Sequence, residues 1–246
     1  KSRTVFTGFT LDWYRNLFHN EMILSALGTS LIIAVVSSVL VTLLGTMAAI
    51  GMHSMKKRAR SIVTTVSHIP NVNPEIITGV SMMLLFVGFK NIFGANIFGV
   101  PTLIIAHVTF NLPIVIFSVL PKLRQMDIRL YEAALDLGCN PRQAFFKAVL
   151  PEIMPGIISG GIMAFTMSLD DFVISYFVTG LDFVTLPVEI YTYTKKPIKP
   201  KVYAMFTLLF ILIAVLMVGM NLMQLRADKK KQSTRPESRG WKIAKR

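Results

Sequence analysis

Cysteine is almost missing from this chain: its 246 residues contain one, Cys139. A single thiol excludes an intrachain disulfide and a zinc site built from cysteine pairs, so nothing here is stapled in the manner of small secreted domains. Charge is scarce too, 16% of residues where ordinary soluble domains carry about 25%. Acidic residues are the scarcer sign, 13 against 26 basic, for a net charge of +13. The chain has no G-x-x-x-x-G-K-[ST] phosphate loop, so any ATP it depends on must be held by another chain. It also lacks an H-E-x-x-H motif and a serine nucleophile elbow, and the histidines His19, His53, His68 and His107 are far apart in sequence. Neither covalent chemistry nor a metal centre is expected of it.

What the chain has in quantity is apolar surface, 53% hydrophobic residues and a mean hydropathy of +0.58, which places it in a bilayer. A helix needs about 20 apolar residues to cross one. Residues 24–52 supply more than that with no ionisable side chain, and are the first span. Residues 61–89 are interrupted by Pro70, Asn71, Asn73 and Pro74, which predicts a broken second span whose second half opens at Glu75. Further spans are expected at 101–120, 152–179 and 202–225. The fold class is therefore an all-α integral membrane protein with five spans, a polar insert at 121–151 between the third and fourth, and a tail at 226–246.

Lysine and arginine number four in 53–60, five in 121–151 and nine from 226 onward. The positive-inside rule puts these alternate segments in the cytoplasm, so the start of the chain, 1–23, lies outside and the carboxyl end inside. Lys195, Lys196, Lys199 and Lys201 depart from the pattern, with Pro197 and Pro200 keeping their loop extended; they are either local noise or a docking surface for something outside. The basic tail reads as a nucleic-acid arm or as a topology anchor beside anionic lipid, and its place just past a span favours the anchor.

Within the insert, Asp127 suits the cap of a short helix, with Gly138 as its left-handed terminator. Asn140 suits the next N-cap, Pro141 the first helical position, Gln143 a side chain that reaches back to the cap, and Pro151 the end. Two short helices joined by a tight turn are expected. Ile128, Tyr131 and Leu135 fall at helical spacing, and Ala133 and Ala134 leave a low surface that a partner can approach. A helix lying passively on the membrane fits that pattern equally well.

Glu132-Ala133-Ala134, Gly138 after three further residues, and Leu150-Pro151 resemble the E-A-A loop of binding-protein-dependent ABC transporter permeases. Ala148 departs, standing where that family usually has a larger aliphatic residue. The likeness continues through the segment beginning Phe9-Thr10-Leu11-Asp12-Trp13-Tyr14, then Pro74-Glu75, the run Ser168-Leu169-Asp170-Asp171-Phe172-Val173, and Phe177-Val178-Thr179-Gly180; this is similar to the spermidine/putrescine branch. The resemblance implies a six-span protein of a bacterial inner membrane, so the chain is expected to begin inside a longer protein and to lack the first span. It also implies a second homologous permease, two ATP-binding subunits that hold ATP and Mg and engage 132–151, an external substrate-binding protein, and a polyamine substrate. The rival readings are a related permease for iron or thiamine and a proton-coupled secondary transporter.

Asp170 and Asp171 fall inside the expected fourth span, where each ionised carboxylate costs about 2.5–3.5 kcal/mol. Successive helical positions are about 100° apart, so the pair cannot share one narrow face. At least one carboxylate is expected to attract a cationic substrate, with Glu75 as a third candidate and Phe172 and Tyr176 offering ring faces to an ammonium group. The alternative role is to bond the polar groups of a partner permease. His107, Asn111 and Pro113 read more simply as a core histidine and a helix kink, and Gly156, Gly160 and Gly161 as a small-residue face for close helix packing.

Overall fold

The structure is a computed structural model that describes residues 21–94, 98–180 and 183–195, with isolated helical positions between 207 and 222. The chain folds into α1 (Glu21–Ser54), α2 (Lys57–Val72), α3 (Glu75–Phe93), α4 (Val100–Gln125), α5 (Ile128–Asp136), α6 (Pro141–Ala144), a π-helical turn (Phe145–Val149), α7 (Leu150–Asp170), α8 (Val173–Val178) and α9 (Leu186–Thr194). Among the described residues four helices are long and apolar enough to cross a membrane: α1, α3, α4 and the continuous run Pro141–Asp170. Most of the expected fifth span, 202–225, lies outside the described residues, as do 1–20 and 226–246.

A helix bonds its interior backbone donors and acceptors within its own segment, the condition for burial in hydrocarbon. Several hydroxyls bond within their own helix: Thr29, Thr42 and Ser54 of α1 donate to carbonyls four residues back. The interior forms where α1, α4 and α7 meet. Val41, Ala49 and Met52 of α1 pack with Val115, Ile116, Val119 and Leu123 of α4 and with Ile153 and Ala164 of α7. Glycines allow the approach. A methyl at Gly156 would stand 2.7 Å from the Ser118 carbonyl oxygen, at Gly160 3.1 Å from Val115 Cα, and at Gly161 2.8 Å from Thr42 Oγ1. The small-residue face read in 156–161 is thus the contact of α7 with both neighbours.

The packing separates two ends. At one, the last turns of α1 and α4 meet Val149 and Ile153, with Tyr131 of α5 packed against them. At the other, Ile23 and Ala26 of α1 pack on Leu186 and Ile190 of α9, and Phe86, Ala106, Ile174 and Val178 bring α3, α4 and α8 together. Consecutive long helices therefore alternate in direction, as the charge count requires. The outer faces of α1 and α3 are apolar and exposed, among them Ile32, Val39, Leu43 and Met47 on α1 and Ile77, Leu84, Phe89 and Ile92 on α3, which suits a bilayer and not water.

Three boundaries differ from the reading of the sequence. The helix after the first span runs through Pro70 to Val72, and the chain breaks at Asn73 and Pro74, whose ψ angles of 140° and 132° are extended. The membrane-length helix is then α3 alone, while α2, with Lys57, Arg58 and Arg60 in its first turn, is a separate element. The second helix of the insert does not end at Pro151: it passes through the π-helical turn into α7. Pro151 lacks an N–H and its ring crowds the carbonyl four residues back; the wider turn, closed by Leu150 N–H donating to the Phe145 carbonyl, takes up that crowding. The fourth span does not reach residue 179. Asp171, at ψ 120°, ends it, and α8 follows as a separate short helix.

Candidate functional sites

The 121–151 insert is organised by its caps. Asp127 accepts the Arg129 amide at 3.0 Å and starts α5. At the other end Gly138, with φ +84°, donates to the Leu135 carbonyl, and Cys139 donates to that of Ala134. This is a Schellman closure, and it requires the left-handed conformation that glycine supplies without strain. Two residues later the Asn140 side chain accepts the Gln143 amide at 2.9 Å while Gln143 accepts the Asn140 amide at 3.2 Å. The reciprocal box fixes the angle between α5 and the helix that becomes α7. Tyr131 and Phe145 anchor the pair to the core, and Leu135 is half-buried. Glu132, Ala133, Gly138 and Pro151 are exposed, whereas Ala134 and Leu150 are half-buried. Leu137 is 86% exposed and Phe146 63%, beside the exposed cations Arg129, Arg142 and Lys147, so this end of the molecule presents an uncovered apolar surface rimmed with charge.

The second site lies where two helix breaks meet. One turn past Glu75, a methyl at Gly79 would stand 2.9 Å from Phe177 and 3.5 Å from the Val173 carbonyl oxygen, so the start of α3 is pressed against α8. The α7–α8 break carries Asp170 and Asp171, and Glu75 opens the helix that packs against α8. The three carboxylates singled out in the sequence thus stand at two helix ends joined by this packing. Their surroundings differ. Asp170 and Glu75 are exposed, while the Asp171 side chain is 8% exposed and turns inward.

Asp171 is held by α8 and by α4. Its oxygens accept the amides of Ile174 at 3.3 Å and Ser175 at 2.7 Å, capping α8, and Oδ2 lies 3.5 Å from His107 Nε2. His107, 2% exposed, also has Ser168 Oγ 2.5 Å from Nδ1 and Ser175 Oγ 3.1 Å from Nε2, and Ser168 in turn bonds Ser37 of α1 at 3.0 Å. One polar chain therefore ties α1, α4, α7 and α8 together. Asn111 and Pro113 are buried beside it in sequence, on a helix that runs unbroken through Pro113.

Beside the carboxylates, Phe172, Tyr176 and Tyr191 form an aromatic cluster with ring centroids 4.7–5.8 Å apart. Phe172 and Tyr176 were legible from the chain. Tyr191, on α9, was not, because the contact crosses fifteen residues that have no periodicity linking them. Ser37, Ser168 and Ser175 were missed for the same reason: an isolated serine in an apolar helix carries no signal of its partner.

Residues 41–232 match the family described as "Binding-protein-dependent transport system inner membrane component". The chain belongs to that family. This permease is 34% identical over 227 residues to the spermidine/putrescine transport system permease protein PotC of Escherichia coli, an alignment covering 92% of this chain and 83% of the relative. It is 38% identical over 234 residues to the putrescine transport system permease protein PotI of Escherichia coli, covering 94% and 83%. Among solved structures, it superposes with TM-score 0.73 and 16% identity on a chain from a bacterial ABC transporter involved in import of the acidic polysaccharide alginate, covering 89% of this chain and 85% of that one. It superposes with TM-score 0.67 and 17% identity on a chain of the MetNI methionine ABC transporter, covering 89% and 99%. At such identities the structures establish a shared fold. The permease is a subunit of a transport system, and its break-and-carboxylate geometry must be read in that light.

Proposed function

We propose that this permease carries polyamines, spermidine or putrescine, across a bacterial inner membrane, in an assembly with a second homologous permease, two ATP-binding subunits and an external substrate-binding protein. The observation that carries the reading is the packing of the α3 start, which carries Glu75, against α8, whose preceding break carries Asp170 and Asp171 beside Phe172 and Tyr176. Irregular backbone is tolerated at membrane depth where it lines a polar cavity, and carboxylates with aromatic faces are the chemistry that stabilises a desolvated polycation. The names of the relatives point to the same substrate class.

Asp170 and Glu75, being exposed, are the carboxylates that meet the cation; Asp171 holds the frame through α8 and His107. ATP and Mg belong to the ATP-binding subunits, which engage the uncovered surface around Glu132, Ala133, Ala134 and Gly138. The path from there to the substrate is a single lever. The helix that starts at Pro141, passes Leu150 and Pro151 and ends at Asp170 has 30 residues, about 45 Å at 1.5 Å per residue. Basic residues of α2, the α4 end and the insert belong to the coupling end, which supports a cytoplasmic coupling end with the start of α1 outside.

The test is polyamine-stimulated ATP hydrolysis by the assembled transporter. Asp170→Asn and Glu75→Gln should each lower stimulation by spermidine about tenfold, the loss of ~1.4 kcal/mol of attraction to one charge. Wild-type stimulation in both variants rejects the reading.

A further inference from the structure

The aromatic cluster already holds an alkylammonium. α9 is fixed to the start of α1 by Leu186 and Ile190 against Ile23 and Ala26, and by the Leu186 amide donating to Ser30 Oγ at 2.7 Å. Its far end brings Tyr191 to 4.7 Å from Phe172 and 5.8 Å from Tyr176, the last nearly edge-on at 81°. Lys195, at the C-terminal cap of α9, then lays its Nζ 4.7 Å from the centroid of Tyr191 and 5.8 Å from that of Tyr176. Both distances lie within the roughly 6 Å over which a ring face attracts a cation. Tyr176, Tyr191 and Lys195 are all exposed, so the site opens to solvent, and Asp170 is exposed as well, two residues before Phe172.

The lysine head group is a primary ammonium on a methylene chain, the same chemistry as the end of a polyamine. We propose that Tyr176 and Tyr191 form an ammonium subsite of the transport path, that Lys195 occupies it while no substrate is present, and that one terminal ammonium of the substrate displaces it. The inference rests on the polyamine reading above and adds a binding threshold to it. Exchanging one primary ammonium for another on the same rings leaves the ring energy almost unchanged. A monoamine therefore gains little at this subsite by displacing Lys195. A diamine or triamine carries a second ammonium that the exposed carboxylates of Asp170 and Glu75 attract, and that second charge decides the exchange. Lys195 thus acts as a tethered competitor that weakens mono- and diamines by the same factor, so that an amine with a second ammonium is the one that still binds.

Calorimetric titration of the assembled transporter, without its external binding protein, with putrescine and with butylamine tests this. Lys195→Met, with Lys195→Gln as a second neutral variant, should bind putrescine about two- to fivefold more tightly than wild type, the value of one exposed ring contact, and butylamine should gain by a similar factor. Lys195→Arg, which restores a cation over the rings, should return the affinity towards wild type. Removing a positive charge nearby also favours any cation, so the decisive protein is the double variant Lys195→Met with Tyr191→Leu. Loss of the gain in that protein supports the subsite. A gain that persists there, or no gain in either neutral variant, overturns the inference and leaves the polyamine reading standing. Absence of putrescine and spermidine binding in wild type and neutral variants alike would instead reject the polyamine reading.

Discussion

Asp170 and Asp171 are neighbours in the chain and occupy opposite environments: the first is exposed at the end of α7, and the second is turned inward to cap α8 and lie 3.5 Å from His107. The helix ends at Asp170, and the ψ of 120° at Asp171 turns the chain that follows into α8. The division implies different consequences on substitution. Asp171→Ala should remove two amide acceptors and cost about 1–3 kcal/mol, lowering the thermal stability and yield of the assembled transporter. Asp170→Ala should leave both near wild type while polyamine stimulation falls. Equal loss of stability in the two variants would contradict the division of roles.

The contact of α7 with α4 depends on glycine. Gly156→Ala places a methyl 2.7 Å from the Ser118 carbonyl oxygen and 2.8 Å from Lys122 Cγ, so the helices must separate, at a cost of about 1–3 kcal/mol. Gly28→Ala, where no atom lies within 4 Å, is the control and should be neutral or slightly stabilising. Thermal unfolding in detergent, followed by loss of monodisperse protein, separates the two. A Gly156→Ala protein as stable as the control would mean the contact is looser than described.

At the coupling end, the turn between α5 and α6 has a conformational requirement that discriminates among substitutions. Gly138, at φ +84°, should tolerate asparagine better than alanine, since the left-handed region costs an ordinary residue about 1–2 kcal/mol and asparagine less. Co-purification of the ATP-binding subunits should weaken in the order wild type, Gly138→Asn, Gly138→Ala. Undiminished co-purification and ATP hydrolysis with alanine would show that the turn is not needed for docking.

Cys139 offers a test of orientation that needs no engineering, being the one cysteine in the chain and half-exposed beside that turn. A membrane-impermeant maleimide should label this chain in inside-out vesicles and leave it unlabelled in intact cells. Removal of the ATP-binding subunits should increase the labelling. Labelling of intact cells would reverse the proposed topology.

The sequence by itself determined most of what is local. Long runs without charge specify helices that a bilayer can hold; Asp127, Gly138, Asn140 and Gln143 specify caps within three or four residues of themselves; and the alternation of lysine and arginine supplies the proposed direction. Each of these signals is carried by neighbours in the chain, so periodicity and propensity read them. Boundaries set by strain were harder to read. Pro151 looks like a stop, but the π-helical turn before it absorbs its ring and lets the helix continue to Asp170, and Pro70 is likewise passed before the break at Asn73 and Pro74.

Only the tertiary structure decided which polar residues share a site. His107 finds Ser168 and Ser175, and Ser168 finds Ser37, because three glycines let the helices close, and the start of α3 that carries Glu75 meets α8 because Gly79 admits Phe177. Lys195, which the charge pattern left as an anomaly, reaches Tyr176 because α9 folds back on α1. Such meetings depend on helix crossings, whose energies arise from side-chain packing between segments far apart in the chain. No window along the sequence contains that information.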